Sequence, residues 1–143
     1  MTTYSFATLP AWAAKVEKIA NAVVSQATND MLRSIEIVPG INRGGSRVKG
    51  TIPRDLGALA GSLQSSIYGS TALSGEASFA LVAGQMKAGD VATFAWGGTV
   101  APYARHVHYG ANGVPGTFWV DVAADGWPGF VKGAVRKAKA AIK

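Results

Sequence analysis

The sequence predicts an α+β domain, and three features carry that prediction. Apolar residues recur every three or four positions from residue 10 to residue 35, the mark of one long amphipathic helix. Between residues 66 and 96 the texture changes to short β-type runs separated by turn residues, as in a small antiparallel sheet. The chain then closes on a second amphipathic stretch rich in lysine. The expected architecture is a long N-terminal helix and a C-terminal helix packed on a small antiparallel sheet. A basic, glycine-rich loop follows the first helix.

The first helix has its apolar stripe at Trp12, Val16, Ile19, Val23, Ala27, Met31 and Ile35. Lys15, Glu17, Lys18, Asn21, Ser25 and Asp30 fall largely away from it. Pro10 suits a first turn, where its missing N–H costs nothing, and Thr8 is placed to cap it. Val38-Pro39-Gly40 ends the helix. Residues 39–54 then read as a mobile loop, with Arg43, Arg47, Lys49 and Arg54 set among four glycines and a short strand near residues 48–52. A short helix opens at Pro53-Arg54-Asp55, with Asp55 as N-cap and Leu56, Leu59 and Leu63 as its apolar side. Residues 66–68, 77–83 and 91–96 are the expected strands of a meander. Residues 101–110 read as a strand or a helical turn, and proline near the start with glycine at the end favours the helical turn, with Tyr103 and Val107 on one face. Residues 112–116 form a loop. Phe118, Trp119, Val120 and Val122 make a last buried run, and Asp125-Gly126-Trp127-Pro128 leads into the final helix. There Phe130, Val131, Ala134, Val135 and Ala138 face inward, with Lys132, Arg136, Lys137, Lys139 and Lys143 outside or in the last turns, where cations suit the helix dipole.

At 143 residues the natural prior is one domain. Hydrophobic residues make up 48% and charged ones only 15%, against about 25% charged in an average domain. That balance excludes a disordered chain. It also leaves little charge to keep an apolar surface soluble alone, which points to partners that cover part of it. There is no cysteine, so disulfides, thiolate metal sites and cysteine nucleophiles are excluded. A net charge of +6 favours polyanionic partners. No apolar run is long enough for a membrane span, and no signal peptide is expected at the N-terminus.

The search for catalytic chemistry finds little. His106 and His108 match His-x-His, which on a strand would aim both rings one way. On a helix, residues two apart diverge by about 200° and cannot share an ion. No third ligand lies nearby, so no metal is expected. Ser46-Arg47-Val48-Lys49 matches the Ser-x-x-Lys pattern in letters only, and residues 45–51 lack the Gly-Lys-Thr order of a phosphate loop. The eight carboxylates form no local pair in a distinctive context. Trp96, Trp119 and Trp127 read as core, since no aromatic stripe interleaves with lysine or arginine as base stacking requires. The basic loop is the better lead. Either it contacts DNA phosphates or an acidic neighbouring subunit, or it is simply solvated.

Three passages, in order, resemble the tail-completion, or neck, family of long-tailed bacteriophages. Ile52-Pro53-Arg54-Asp55-Leu56-Gly57-Ala58-Leu59-Ala60-Gly61-Ser62-Leu63 is similar to the family's Pro-x-Asp-Thr-Gly-x-Leu-x-x-Ser. Pro102-Tyr103-Ala104-Arg105-His106-Val107-His108-Tyr109-Gly110 is similar to its Tyr-Ala-x-x-Val-Glu-x-Gly. Pro115-Gly116-Thr117-Phe118-Trp119 is similar to the Pro-x-x-Phe before the last helix. Leu56 stands where threonine is usual, leaving the cap to Asp55 alone, and His108 stands where glutamate is usual, removing an acidic contact. The resemblance implies a non-catalytic structural protein without cofactors, made in the bacterial host cytoplasm and placed in the virion at the head–tail junction or the top of the tail. It implies a ring of copies, hexameric or dodecameric, that meets head-closure (connector) proteins on one side and tail-terminator or tail-tube proteins on the other. Arg43, Arg47, Lys49 and Arg54 are then candidates for subunit contact or for non-specific contact with genomic DNA in the channel. Tyr103, Arg105, His106, His108 and Tyr109 are candidates for the subunit interface. A tail-terminator ring is the nearest rival, and a small basic nucleic-acid-binding module the rival of another class.

Overall fold

The computed structural model describes residues 9–36, 49–53 and 58–142. Helix α1 spans Leu9–Glu36, α2 Ala58–Gly61, β1 Gln64–Ile67, β2 Leu73–Ser74, α3 Ser78–Gln85 and β3 Ala92–Ala95. Helix α4 (Ala104–Tyr109), a hairpin of β4 (Gly110–Ala111) and β5 (Val114–Pro115), and α5 (Trp119–Ala141) complete the chain. The fold is α+β, with α1 and α5 packed on each other and on a small antiparallel three-stranded sheet.

Helices α1 and α5 run antiparallel. Ile35 shares the core cluster with Trp119 and Ala123 at one end. Ala22 and Gln26 share a hollow with Ala134, Ala138 and Ala141 at the other. Ala134 and Ala138 are buried, and such small side chains let the two helix backbones come close. Lys137 Nζ meets Asp30 Oδ2 at 3.3 Å across the seam. Ala27, Leu32 and Ile35 are buried on α1, whereas residues 9–18 of the same helix are exposed throughout.

The sheet order is β2-β1-β3, all antiparallel, so β1 is central and β3 is an edge strand. The meander expected from residues 66–68, 77–83 and 91–96 is corrected at its middle member. Residues 78–85 are helix, not strand. Ala77, Ala80, Leu81 and Ala83 favour helix intrinsically, and the buried Ser78, Val82 and Met86 recur every four residues, a period the β-type reading missed. Helix α3 is tied to the sheet by Ser78. Its hydroxyl donates to Gly75 O at 2.6 Å, so the buried 2.8 Å contact with Ser65 Oγ on β1 must have Ser65 as donor.

Three further boundaries differ from expectation. Helix α5 starts at Trp119 and passes through Pro128, where a leader to the helix was expected. Proline lacks the N–H that would bond Ala124 O, but Trp119 and Ala123 anchor the first turns in the core and hold the helix through that gap. The run expected to be buried at its start is therefore helical. Trp119 is buried while Val120 and Val122 are exposed. Residues 49–52 form a turn rather than a strand, and they are pinned. Gly50 N donates to Thr117 O at 2.7 Å, Ile52 N donates to Ile35 O at 3.2 Å, and Ile52 is fully buried. Gly50 has φ +87, and a Cβ there would lie 2.7 Å from Val122 Cγ1, so both backbone and space require glycine. The expected loop at residues 112–116 holds the turn and second strand of the β4–β5 hairpin. Asn112 and Gly113 at its tip have φ 53 and 78, the two positive values of a type I′ turn.

A candidate contact site at helix α4

Ala101, Ala104, Val107 and His108 recur at steps of three, three and one, so all four fall on one side of the α4 segment. Ala101, Val107 and His108 are buried there, and Ala104 packs against the core cluster. Tyr103, Arg105, His106 and Tyr109 are exposed. Four of the five interface candidates are thus exposed, and the expected common face of Tyr103 and Val107 is corrected, since Val107 is buried while Tyr103, just before α4, is exposed. His108 is the correction. Its position next to Val107 and four after Ala104 turns it inward, to 6% exposure. The two histidines diverge as helical residues two apart must, and among the described residues no three His, Asp or Glu side chains gather as metal ligands.

His108 sits in an aromatic nest. Its ring lies edge-on to Tyr109 at 4.5 Å, Trp119 at 4.9 Å and Phe118 at 5.6 Å between centroids. Trp96 stands edge-on to Trp119 at 6.2 Å. Such T-shaped packing places a ring edge against a π face. His108 Nδ1 and Nε2, Trp96 Nε1, Trp119 Nε1 and Thr117 Oγ1 are buried without a hydrogen-bond partner among the described residues. On the outer side, the Arg105 guanidinium lies 6.0 Å from the Tyr109 ring centroid, one helical turn away.

The chain after α4 is clamped to it. Thr117 N donates to Val107 O and Phe118 N to His108 O, at 3.1 and 3.0 Å. Gly116 lies directly on the backbone of α4's last turn, and a Cβ on it would meet His108 O, Tyr109 C and Gly110 N. Phe118 takes a left-handed conformation, φ 50 and ψ 40, immediately before α5. For a non-glycine residue that backbone is strained and is held by its surroundings.

Beside the nest opens a cleft of about 330 Å³, lined among others by Phe94, Trp96, Arg105, His108, Tyr109, Trp119 and Asp121. A second hollow, about 410 Å³, lies on the other side of Phe94, against Met31, Ala124 and Trp127. Trp119 is core as expected, Trp96 is half-buried against it, and Trp127 is 36% exposed at the second hollow. Of the basic loop candidates, Lys49 is exposed beside the pinned Gly50. Arg43, Arg47, Arg54 and the cap Asp55 lie outside the described residues. Neither the groove around Phe94 nor the exposed start of α1 was singled out from the sequence. Comparison of the chain with protein-family models, curated proteins and solved structures gives no match.

Proposed function

We propose that this chain is a structural component of a tailed-bacteriophage virion, joining head to tail or completing the tail as one copy in a neck ring, without catalysis. Besides the resemblance of the three sequence passages, one observation carries the reading. Fourteen large apolar side chains stay exposed among the described residues. Isolated exposed apolar residues are ordinary on a soluble protein. Here, however, they group. Leu9, Trp12 and Val16 form a stripe on α1, and Tyr103 and Tyr109 flank the α4 face. Surfaces of this kind are buried by partners, here copies of the chain with head-closure proteins on one side and tail-terminator or tail-tube proteins on the other. The tail-terminator ring is the same reading one position further along the tail.

A basic row on α5 favours a second reading. Lys132, Arg136 and Lys139 are exposed at steps of four and three, on one helix face. That row suits DNA phosphates, either inside a ring channel or for a free nucleic-acid-binding module. Light scattering over a protein dilution series, run beside a salt titration of DNA binding, separates the two. Concentration-dependent rings with weak DNA affinity support the virion reading. A monomer at every concentration that binds DNA with a steep salt slope overturns it. Imaging the protein at the neck or at the last tube ring distinguishes completion from termination.

A further inference from the structure

We propose that the outer face of α5 pairs antiparallel with the same face of a second copy of this chain, about a two-fold axis. At 100° per residue, Asp121, Asp125, Lys132, Arg136 and Lys139 fall within an arc of about 60°. All five are exposed. The buried Ala123 and Ala134 lie about 170° from the centre of that arc. Ala123 faces the core beside Ile35 and Ala134 the hollow beside Ala22, so the face keeps its phase through Pro128. The charged stripe is the side of α5 turned fully away from α1.

The stripe divides by sign, with two acids in its first half and three bases in its second. Like charges one turn apart repel, and none of the five has an ion-pair partner among the described residues. The helix dipole favours Asp121 in the first turn and Lys139 in the last. It fades within those turns and does not account for Asp125, Lys132 or Arg136. Between the two halves stand Pro128 and Gly129, both exposed, and a Cβ on Gly129 would meet nothing within 4 Å. Glycine inside a helix is unfavourable, and here it leaves the middle of the face open to a second helix.

The register is self-complementary. With the axis level with residue 130, Asp121 of one copy lies level with Lys139 of the other, and Asp125 lies within one residue, about 1.5 Å, of Arg136. A two-fold antiparallel pair also sets each side of the stripe against the same side of its copy. Asp121 and Lys139 share one side of the arc, and Asp125 and Arg136 share the other. Lys132, nearest the axis, approaches its own counterpart but stands within one turn of Asp125 of the second copy. One like-charge approach is thus set against four opposite-charge pairs. The acids decide the occupant. A nucleic acid following the basic row along the helix would meet Asp125 about 10 Å beyond Lys132 and be repelled, whereas a second copy answers both halves at once. The contact closes on itself after two copies, so it joins two chains, or two rings face to face, and it holds whether or not the chain belongs to a virion neck.

Sedimentation velocity at low and high salt tests this with the full chain. Exposed ion pairs are weak singly and screened by salt, so the wild type is expected to pair at low salt and to lose that pairing at high salt. Asp121→Lys with Asp125→Lys, and separately Arg136→Glu with Lys139→Glu, each set like charges across the axis. Each is expected to weaken pairing by about tenfold or more while leaving the circular dichroism unchanged. The second variant lowers the net positive charge, so general repulsion does not explain its loss. Mixed, the two variants place opposite charges at all four contacts and are expected to pair one to one, although both remain net positive. If either variant pairs like the wild type, or the mixture does not pair, this inference fails and the neck-ring reading is untouched. If the wild type stays monomeric at every concentration, ring assembly by this chain alone fails with it.

Discussion

The two ends of α1 share one helix and one apolar period yet meet opposite surroundings. From Ala27 to Ile35 the stripe is buried against α5 and the core around Ile52 and Trp119. From Leu9 to Val16 the same stripe faces water. Periodicity states which face of a helix is apolar; it does not state what covers that face. The covered end is held by a set of close approaches at the far side of the molecule, where the pinned turn at Gly50 and the clamp between α4 and α5 meet. The uncovered end has no such support among the described residues.

The contrast can be broken most severely at the clamp. Gly116→Ala places a methyl group into the backbone of α4's last turn, and neither side can yield cheaply. A loss of about 3 kcal/mol or more is expected in urea unfolding, the upper range of overpacking effects. Next in size is the difference between the two ends of α1. Leu32→Ala, at 1% exposure, is expected to cost about 2–5 kcal/mol. Trp12→Ala, made at protein concentrations where the chain is monomeric, is expected to change stability by less than about 0.5 kcal/mol. Equal costs at the two positions would show that the start of α1 is packed within the monomer. Gly50→Ala comes third. The left-handed backbone and the contact with Val122 together predict a loss of about 1–3 kcal/mol, readable as a lower thermal midpoint, and a Val122→Ala background is expected to recover the steric part of it. Smallest is Asp30→Asn. Its partner Lys137 is 63% exposed, so the pair is worth about 0–1 kcal/mol, and a midpoint shift near zero is expected at high salt.

Much of the fold could be read from the residues in order. The helix of residues 10–35 emerged within a residue at each end because its period runs unbroken over seven turns. Proline near the start and glycine at the end marked α4, and the inward set of Ala134 and Ala138 on α5 followed from spacing. Misreadings came where local cues compete. Residues 78–85 are a short apolar run that suits a strand as well as a helix by composition, and alanine content with the four-residue spacing of the buried positions decides for helix. Pro128 with its neighbouring glycines looks like a break, yet the anchors before it, Trp119 and Ala123, carry the helix across.

The site was legible in part. Tyr103, Arg105, His106 and Tyr109 fall together on the exposed side of α4 because a helix turns them there. His108 goes inside because it stands four residues after Ala104, about 40° from it around the helix, a placement that no composition argument weighs. The groove around Phe94 could not be found in the sequence at all. Its walls come from α1, β3 and α5, far apart along the chain, and it exists only because the sheet and the two helices do not close over Phe94.

By itself, then, the amino-acid order determined the periods: two long amphipathic helices, a short helix ending in glycine, and a chain rich in apolar residues with few charges. Only the tertiary structure decided which parts of those apolar faces are covered. The reason is physical. Periodicity is a property of neighbours three or four residues apart, whereas burial depends on elements brought together from across the chain, and here α5 ends before α1 does.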